Sequence, residues 1–350
     1  MYLNSITILR AIAIVLIVAS HCDIFSNIHP TNFIHRLVIN ITAGGTIVFV
    51  FISGFLFHHV FYLKSRTNLF LKKRVKRLLV PYLILSIIPI FYKIHYQPNF
   101  WVKFIQSEKS GVYYDYIYPA ILFLFSGEHL VAYWYIPFAM LLFLCYPLHT
   151  IFIKTNNKIQ IVIILLSLIV ALIIQRPLPL SLQLIQSLIY FTPAYLFGIY
   201  CSKNKDELFR FFKNKEYLLL IPFLITLFVQ TYMGVEGNSE KSLFSYEGLD
   251  SIFPQKIFLS VFLLVYLHRF ENYSNNFISL LANTSFAIYF LHGYILRLLY
   301  IIKEQLKIEQ FSYPISTFLL STSTLIIISI LLALLAKRIF KDNSAYITGY

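Results

Sequence analysis

Ser5-Ile6-Thr7-Ile8-Leu9-Arg10-Ala11-Ile12-Ala13-Ile14-Val15-Leu16-Ile17-Val18-Ala19-Ser20-His21-Cys22 carries one guanidinium and one imidazole in an otherwise apolar run. A stretch of this length with so few charges reads as a membrane-crossing helix. Nine more apolar runs follow, near 37–57, 78–95, 131–150, 159–175, 184–201, 217–233, 255–268, 280–301 and 314–336. Over the 350 residues, 58% are apolar or aromatic and 13% are charged, where soluble domains carry roughly 25% charged residues. A water-soluble fold of this size has too much surface to hide that apolar share. Soluble enzymes, secreted disulfide scaffolds and disordered regulators are thereby excluded. The expected fold is all-α: a polytopic transmembrane helix bundle of about ten spans.

An even span count places both termini on one side. With the N-terminus in the cytoplasm, Lys and Arg in the inner loops outnumber those in the outer segments two to one, and the loop 58–77 dominates the bias. That is the positive-inside pattern, so both termini are expected to be cytoplasmic. The loop 234–254 holds Glu236, Glu240, Glu247 and Asp250 and is expected outside. The run Ile117–Phe125 is too short to cross and reads as re-entrant or interfacial. The first span lacks a basic n-region and is expected to be retained. One transmembrane domain is expected over 1–340, with a short cytoplasmic tail at 341–350 and no fused soluble domain.

The formal charge of +14 is accounted for by cytoplasmic loops, and no soluble stacking platform accompanies it, so nucleic acid is not an expected partner. Cys22, Cys145 and Cys201 have no metal-ligand or CxxC spacing and read as packing residues. No HExxH, Walker loop, GxSxG elbow or Cys/His cluster is present, and no metal is expected.

Ionisable groups inside spans are costly and are functional candidates by default. Arg10 and His21 are eleven residues apart. On a continuous helix they differ by about 20° around the axis and about 16 Å along it. Both would then project from one face, as the lining of a cavity does. The bland alternatives are snorkelling for Arg10 and an interfacial position for His21. Gly44-Gly45-Thr46 and Ser53-Gly54 are first a signal for close helix packing, and second for a site. Lys72-Lys73-Arg74-Val75-Lys76-Arg77 is partly a topology signal, but Arg74 and Arg77 sit one turn apart and could fork onto phosphates. Trp134, at a span end, has the interfacial belt as its competing reading. Ser285, Tyr289 and His292 recur at i, i+4 and i+7 on one helical face, with Arg297 farther along.

Taken together, these segments resemble acyltransferase family 3, integral membrane enzymes that acylate carbohydrates and related surface molecules. The resemblance begins at Leu9-Arg10-Ala11 leading to His21 and runs through Gly44-Gly45-Thr46 to Phe51-Ile52-Ser53-Gly54-Phe55. It continues in Lys72–Arg77 closed by Val80-Pro81-Tyr82, then in Tyr133-Trp134-Tyr135-Ile136-Pro137 and Tyr146-Pro147, Phe197-Gly198, and Thr284–His292. The order holds over some 290 residues. Glu128-His129-Leu130-Val131-Ala132-Tyr133 departs from the family's compact His-Leu-Trp-Phe form.

The resemblance implies transfer of an acyl group, most often acetyl, from cytoplasmic acyl-CoA to a glycan hydroxyl. Acetyl-CoA or another acyl-CoA is then a co-substrate and no cofactor is permanently bound. Under that reading Arg74 and Arg77 hold the donor phosphates, Arg10 orients the donor, and His21 takes the proton of the attacking hydroxyl. Ser53, Trp134, Ser285, Tyr289 and His292 support the acceptor side. The expected partners are acyl-CoA, a cell-surface or lipid-linked polysaccharide and the bilayer; homo-oligomer formation is left open. The expected location is a bacterial inner membrane, the bacterial source being read from the Ile-, Lys-, Asn- and Phe-rich composition. A non-enzymatic carrier or flippase for a lipid-linked glycan is the rival reading. It calls for inverted repeats with broken helices, and no such internal symmetry is visible in the sequence.

Overall fold

The computed structural model describes residues 3–102, 104, 111–178 and 184–350. Lys103 and Lys109, counted above among the outer-segment charges, lie outside the described residues. The first apolar run forms α1, Asn4–Ala19, and a tight turn then carries Ser20, His21 and Cys22. The second run is broken. Helix α2, Phe33–Thr42, ends at Ala43 and Gly44, and α3, Gly45–Leu56, continues into a π-helical stretch at Phe57–Tyr62. Gly44 takes a left-handed φ of 71°, a conformation that costs glycine nothing. The carbonyls of Asn40 and Ile41 at the end of α2 accept hydrogen bonds from the Lys256 ammonium at 2.9 and 2.8 Å. Backbone groups that lose their helical partners in an apolar setting need such a substitute.

The basic segment forms α4, Thr67–Arg74, passes through a π-helical turn at Val75–Leu79 and enters α5, Val80–Tyr96. The run near 117–125 is the nine-residue helix α6, Tyr118–Ser126. Its Leu122 and Phe123 pack with Ile90 and Trp101 in a small cluster apart from the main core. Helices α7, Tyr135–Leu144, and α8, Tyr146–Lys154, are bent by 52°. Then come α9, Asn157–Ile174, α10, Leu184–Lys203, α11, Lys205–Phe212, and α12, Tyr217–Tyr232. The chain closes with α13, Ile252–Leu267, α14, Asn276–Asn283, α15, Ser285–Gln305, α16, Pro314–Phe340, and the short α17, Ser344–Ile347. Two two-residue strands, β1 at Arg176–Pro177 and β2 at Glu240–Lys241, pair in parallel.

Each of the ten apolar runs therefore contains a helix. Among the described residues, seven continuous helical segments are long and apolar enough to cross a membrane, some of them joining consecutive elements as in Phe33–Tyr62 and Thr67–Tyr96, or eight if the bent α7–α8 pair is one span. Helices α1 and α12 have 16 residues each and are shorter than that measure. The outer surface is apolar where a soluble protein's is polar: Leu165, Leu166 and Ile169 of α9 are each more than half exposed. Such a surface matches hydrocarbon as solvent.

The core sits where α3 crosses α10. Gly54 lies against the Tyr195 carbonyl and Gly198 against the Phe51 carbonyl, so a Cβ at either glycine would overlap backbone. This is the small-residue approach that apolar helices use in place of a hydrophobic driving force.

Candidate active site

Two cavities flank this core. The larger, of about 810 Å³, is basic: Arg10, Lys64, Lys73, Arg74, Lys76, Arg77 and Lys337 line it, with Asp342 as the carboxylate in its wall. Leu3 and Tyr350 line it too. The two described ends of the chain thus lie at one end of the molecule, and residues 341–350 fold back on the cavity's rim, where the Lys76 ammonium sits 4.4 Å from the Tyr346 ring centroid. The smaller cavity, of about 420 Å³, is lined by His21, Trp134, Arg176, Asn238, Glu240 and Tyr289 among others. Aromatic side chains stand between them. Phe49 of the basic cavity meets Tyr135 of the histidine cavity at 6.1 Å between centroids, and Tyr135 meets Tyr289 at 5.6 Å.

Helix α1 runs past both cavities beside α15. From the first half of α1, Arg10 Nη2 donates to the Ala282 carbonyl at 2.9 Å and, at the start of α15, to Ser285 Oγ at 3.0 Å. Beyond the end of α1, the His21 ring stacks on His292 with centroids 5.5 Å apart and planes 24° from parallel. The two helices therefore run in the same direction, and their polar residues meet at two levels. The helix ends at Ala19, so His21 is placed not by an eleven-residue helical spacing from Arg10 but by the following turn, where its N–H donates to the Val18 carbonyl. The imidazole nevertheless reaches the cavity wall.

The i, i+4, i+7 face of α15 is buried, and each member is engaged. Ser285 holds Arg10; the Tyr289 hydroxyl donates to the Ala132 carbonyl; His292 Nδ1 is 3.0 Å from the Ile288 carbonyl. His292 Nε2 is buried and has no hydrogen-bond partner among the described residues. Arg297 lies elsewhere, exposed and beside Tyr92.

Ser53 was grouped above with the acceptor side, but it lines the basic cavity with Arg10 and Arg74, because α3 points its C-terminal half toward that end. The Tyr135 hydroxyl lies beside Ser53 and Arg74 at the boundary between the cavities. The Arg74 guanidinium is 5.2 Å from the Phe70 ring centroid and 4.7 Å from that of Phe143. Arg77 is exposed on the same cavity. The π-helical turn beginning at Val75 intervenes between them, so they occupy different depths rather than forming one fork.

Trp134 is partly buried and packs against the main core. Its ring stacks on Phe138 and Phe191, both at 5.8 Å, and carries the Arg176 guanidinium 4.8 Å above it. Arg176 also pairs with Glu240 at 3.5 Å through the parallel β1–β2 contact. In the sequence Arg176 and Glu240 are only loop charges, and Asn238 carries no signal. They come from loops more than sixty residues apart, and no local spacing announces their meeting.

No group of three or more His, Cys, Asp or Glu among the described residues is placed to hold a metal ion. The three cysteines are unpaired. What the arrangement offers is a basic compartment suited to a polyanion, an imidazole in a second compartment, and a thin aromatic partition between them.

No curated protein and no solved structure is similar to the chain at a significant level. A family model for the acyltransferase domain matches residues 3–336, which takes in α1, the basic segment, the histidine cavity, α15 and all of the basic cavity's wall except Lys337 and the residues after it. With that span matched nearly end to end, the chain belongs to acyltransferase family 3, a family of membrane acyltransferases.

Proposed function

We propose that this protein is a membrane-bound O-acyltransferase that moves an acyl group, acetyl in the first instance, from cytoplasmic acyl-CoA to a hydroxyl of a cell-surface or lipid-linked polysaccharide. The observation that carries the reading is the pair of cavities along α1 on either side of the aromatic partition, with Arg10 in the basic one and His21 in the other. The basic cavity faces the cytoplasm of a bacterial inner membrane under positive-inside sorting. Arg77, Lys73 and Lys76 meet the donor phosphates there, and Arg74 stands deeper. The pantetheine arm extends along α1 past Arg10 and brings the thioester to the aromatic partition.

The acceptor hydroxyl binds on the histidine side, in the cavity that His21 shares with Trp134, Arg176 and Glu240. As its oxygen attacks the thioester carbonyl, its proton passes to the His21 imidazole. The carbon–sulfur bond breaks, the ester forms, and the coenzyme A thiolate recovers the proton from the imidazolium. His292 orients His21 by stacking, and Arg10 is oriented by Ser285. Self-association is not needed for this chemistry.

The test is labelled acetyl-CoA supplied to membranes containing the protein, with release of the label by mild alkali as the mark of an ester. Alkali-labile label that disappears in His21→Ala at equal protein abundance supports the reading. Transport of a lipid-linked glycan without label incorporation overturns it in favour of a carrier.

A further inference from the structure

On the lipid-facing side, α5 and α15 leave a groove of about 660 Å³ between them. Ile88, Pro89, Leu298 and Ile301 give it an apolar wall, and Ile88 and Leu298 are 73% and 54% exposed. Two cations interrupt that wall, Lys93 from α5 and Arg297 from α15, near enough to act on each other electrostatically. Lys93 Nζ donates to Gln97 Oε1 at 2.8 Å and lies 4.6 Å from the Phe100 ring centroid. The Arg297 guanidinium lies 6.0 Å from the Tyr92 ring centroid, with Nη2 3.5 Å from its hydroxyl. These hydrogen-bond and ring partners are neutral, and the Glu128 carboxylate in the same groove acts on Lys93 electrostatically, offsetting one of the two charges. Glu128 is the one carboxylate among the described residues lining the groove, so its charge there is net positive.

A guanidinium and an ammonium beside hydrocarbon are costly, most of all at the centre of a bilayer and less toward its surface. An anion seated between them offsets that cost. The groove also has a direction. Glu128, Ala132 and Trp134 line both it and the histidine cavity, so the segment Gly127–Trp134 is a shared wall between the two. An amphiphile lying along Ile88 and Leu298 with its phosphate at Lys93 and Arg297 has whatever is bonded to that phosphate beside the Trp134 threshold to His21.

We propose that the groove binds the acceptor as a polyprenyl diphosphate-linked saccharide, with the diphosphate on Lys93 and Arg297 and the isoprenoid chain along α5 and α15. The proposal rests on the acyltransferase reading, and names the class of lipid on which the acceptor glycan arrives. Charge complementarity and continuity with the histidine cavity select this occupant over a bilayer phospholipid, whose headgroup carries no saccharide to deliver.

Binding of a long-chain polyprenyl diphosphate to the purified full-length protein, measured by native mass spectrometry, is the test. The wild-type chain retains the probe. Lys93→Ala with Arg297→Ala weakens binding about tenfold or more, since two charge-assisted contacts are lost, and Lys93→Arg with Arg297→Lys restores it. His21→Ala binds the probe as the wild type does, so a failure of catalysis and a failure of this site are told apart. Wild-type affinity in the double alanine protein overturns the proposal. Equal displacement by phosphatidylglycerol overturns it in favour of a general phospholipid site, and equal displacement by inorganic diphosphate in favour of a free-anion site. Should the double alanine chain fail to insert, Arg297→Gln alone decides, because Arg297 is exposed; unchanged binding in that protein is equally fatal.

Discussion

The imidazoles of His21 and His292 stack with centroids 5.5 Å apart, joining the turn after α1 to the middle of α15. One ring reaches the smaller cavity and the other is fully buried behind it. Their roles should separate kinetically. His21→Ala should lower kcat by about 100-fold to 10,000-fold, the range for loss of a positioned base. His292→Ala should lower kcat less and leave the donor KM unchanged, because it acts by orienting His21. Equal losses in both variants, at equal abundance, would assign the base to the pair.

Arg10 tests the other end of the same two helices. Ser285→Ala removes one of its hydrogen bonds and should lower the thermal midpoint modestly, by the equivalent of about 1 kcal/mol. Arg10→Ala should abolish acyl incorporation with membrane insertion intact. Arg10→Lys keeps the charge but loses the planar fork and should recover only part of the rate.

The two arginines of the basic segment differ in depth, and substitution should expose the difference. Arg77→Ala should raise the apparent KM for acyl-CoA with kcat and protein level unchanged, since Arg77 is exposed on the cavity. Arg74→Ala should also destabilise the protein, because its guanidinium packs on Phe70 and Phe143. Initial rates across donor concentrations, with fluorescence-detected size exclusion for abundance, separate the two effects. A change confined to protein level in both would leave the segment as a topology signal.

Close backbone approach predicts that Gly54→Ala and Gly198→Ala are each severe. The added methyl meets a carbonyl of the facing helix rather than a movable side chain. Overpacking costs roughly 1–3 kcal/mol and more where backbone must shift. Both variants should lose folded protein in detergent.

Lys256 is fully buried and caps the broken end of α2. Lys256→Met fills similar volume but leaves two carbonyls without their donor, a cost of about 1–3 kcal/mol for each group. The expected result is a lower thermal midpoint together with loss of acyl transfer, because Gly44, Gly45 and Thr46 line the histidine cavity just beyond that break. An unchanged midpoint would mean that water or lipid replaces the ammonium.

What could be read from residues alone was whatever repeats locally or is expensive in hydrocarbon. Ten apolar runs announced ten helical segments because no other backbone form satisfies its own hydrogen bonds in lipid. Arg10, His21 and the face of Ser285, Tyr289 and His292 stood out because a charge or polar stripe in such a run demands a partner, and the partners proved to be one another. Folding in three dimensions decided the rest. It ended α1 before His21, moved Ser53 to the basic cavity, placed a π-helical turn between Arg74 and Arg77, and put Arg176 over Trp134 through a two-residue strand pair. These depend on contacts between segments far apart in the chain, whose partners are chosen by packing and charge in space and leave no period in the sequence.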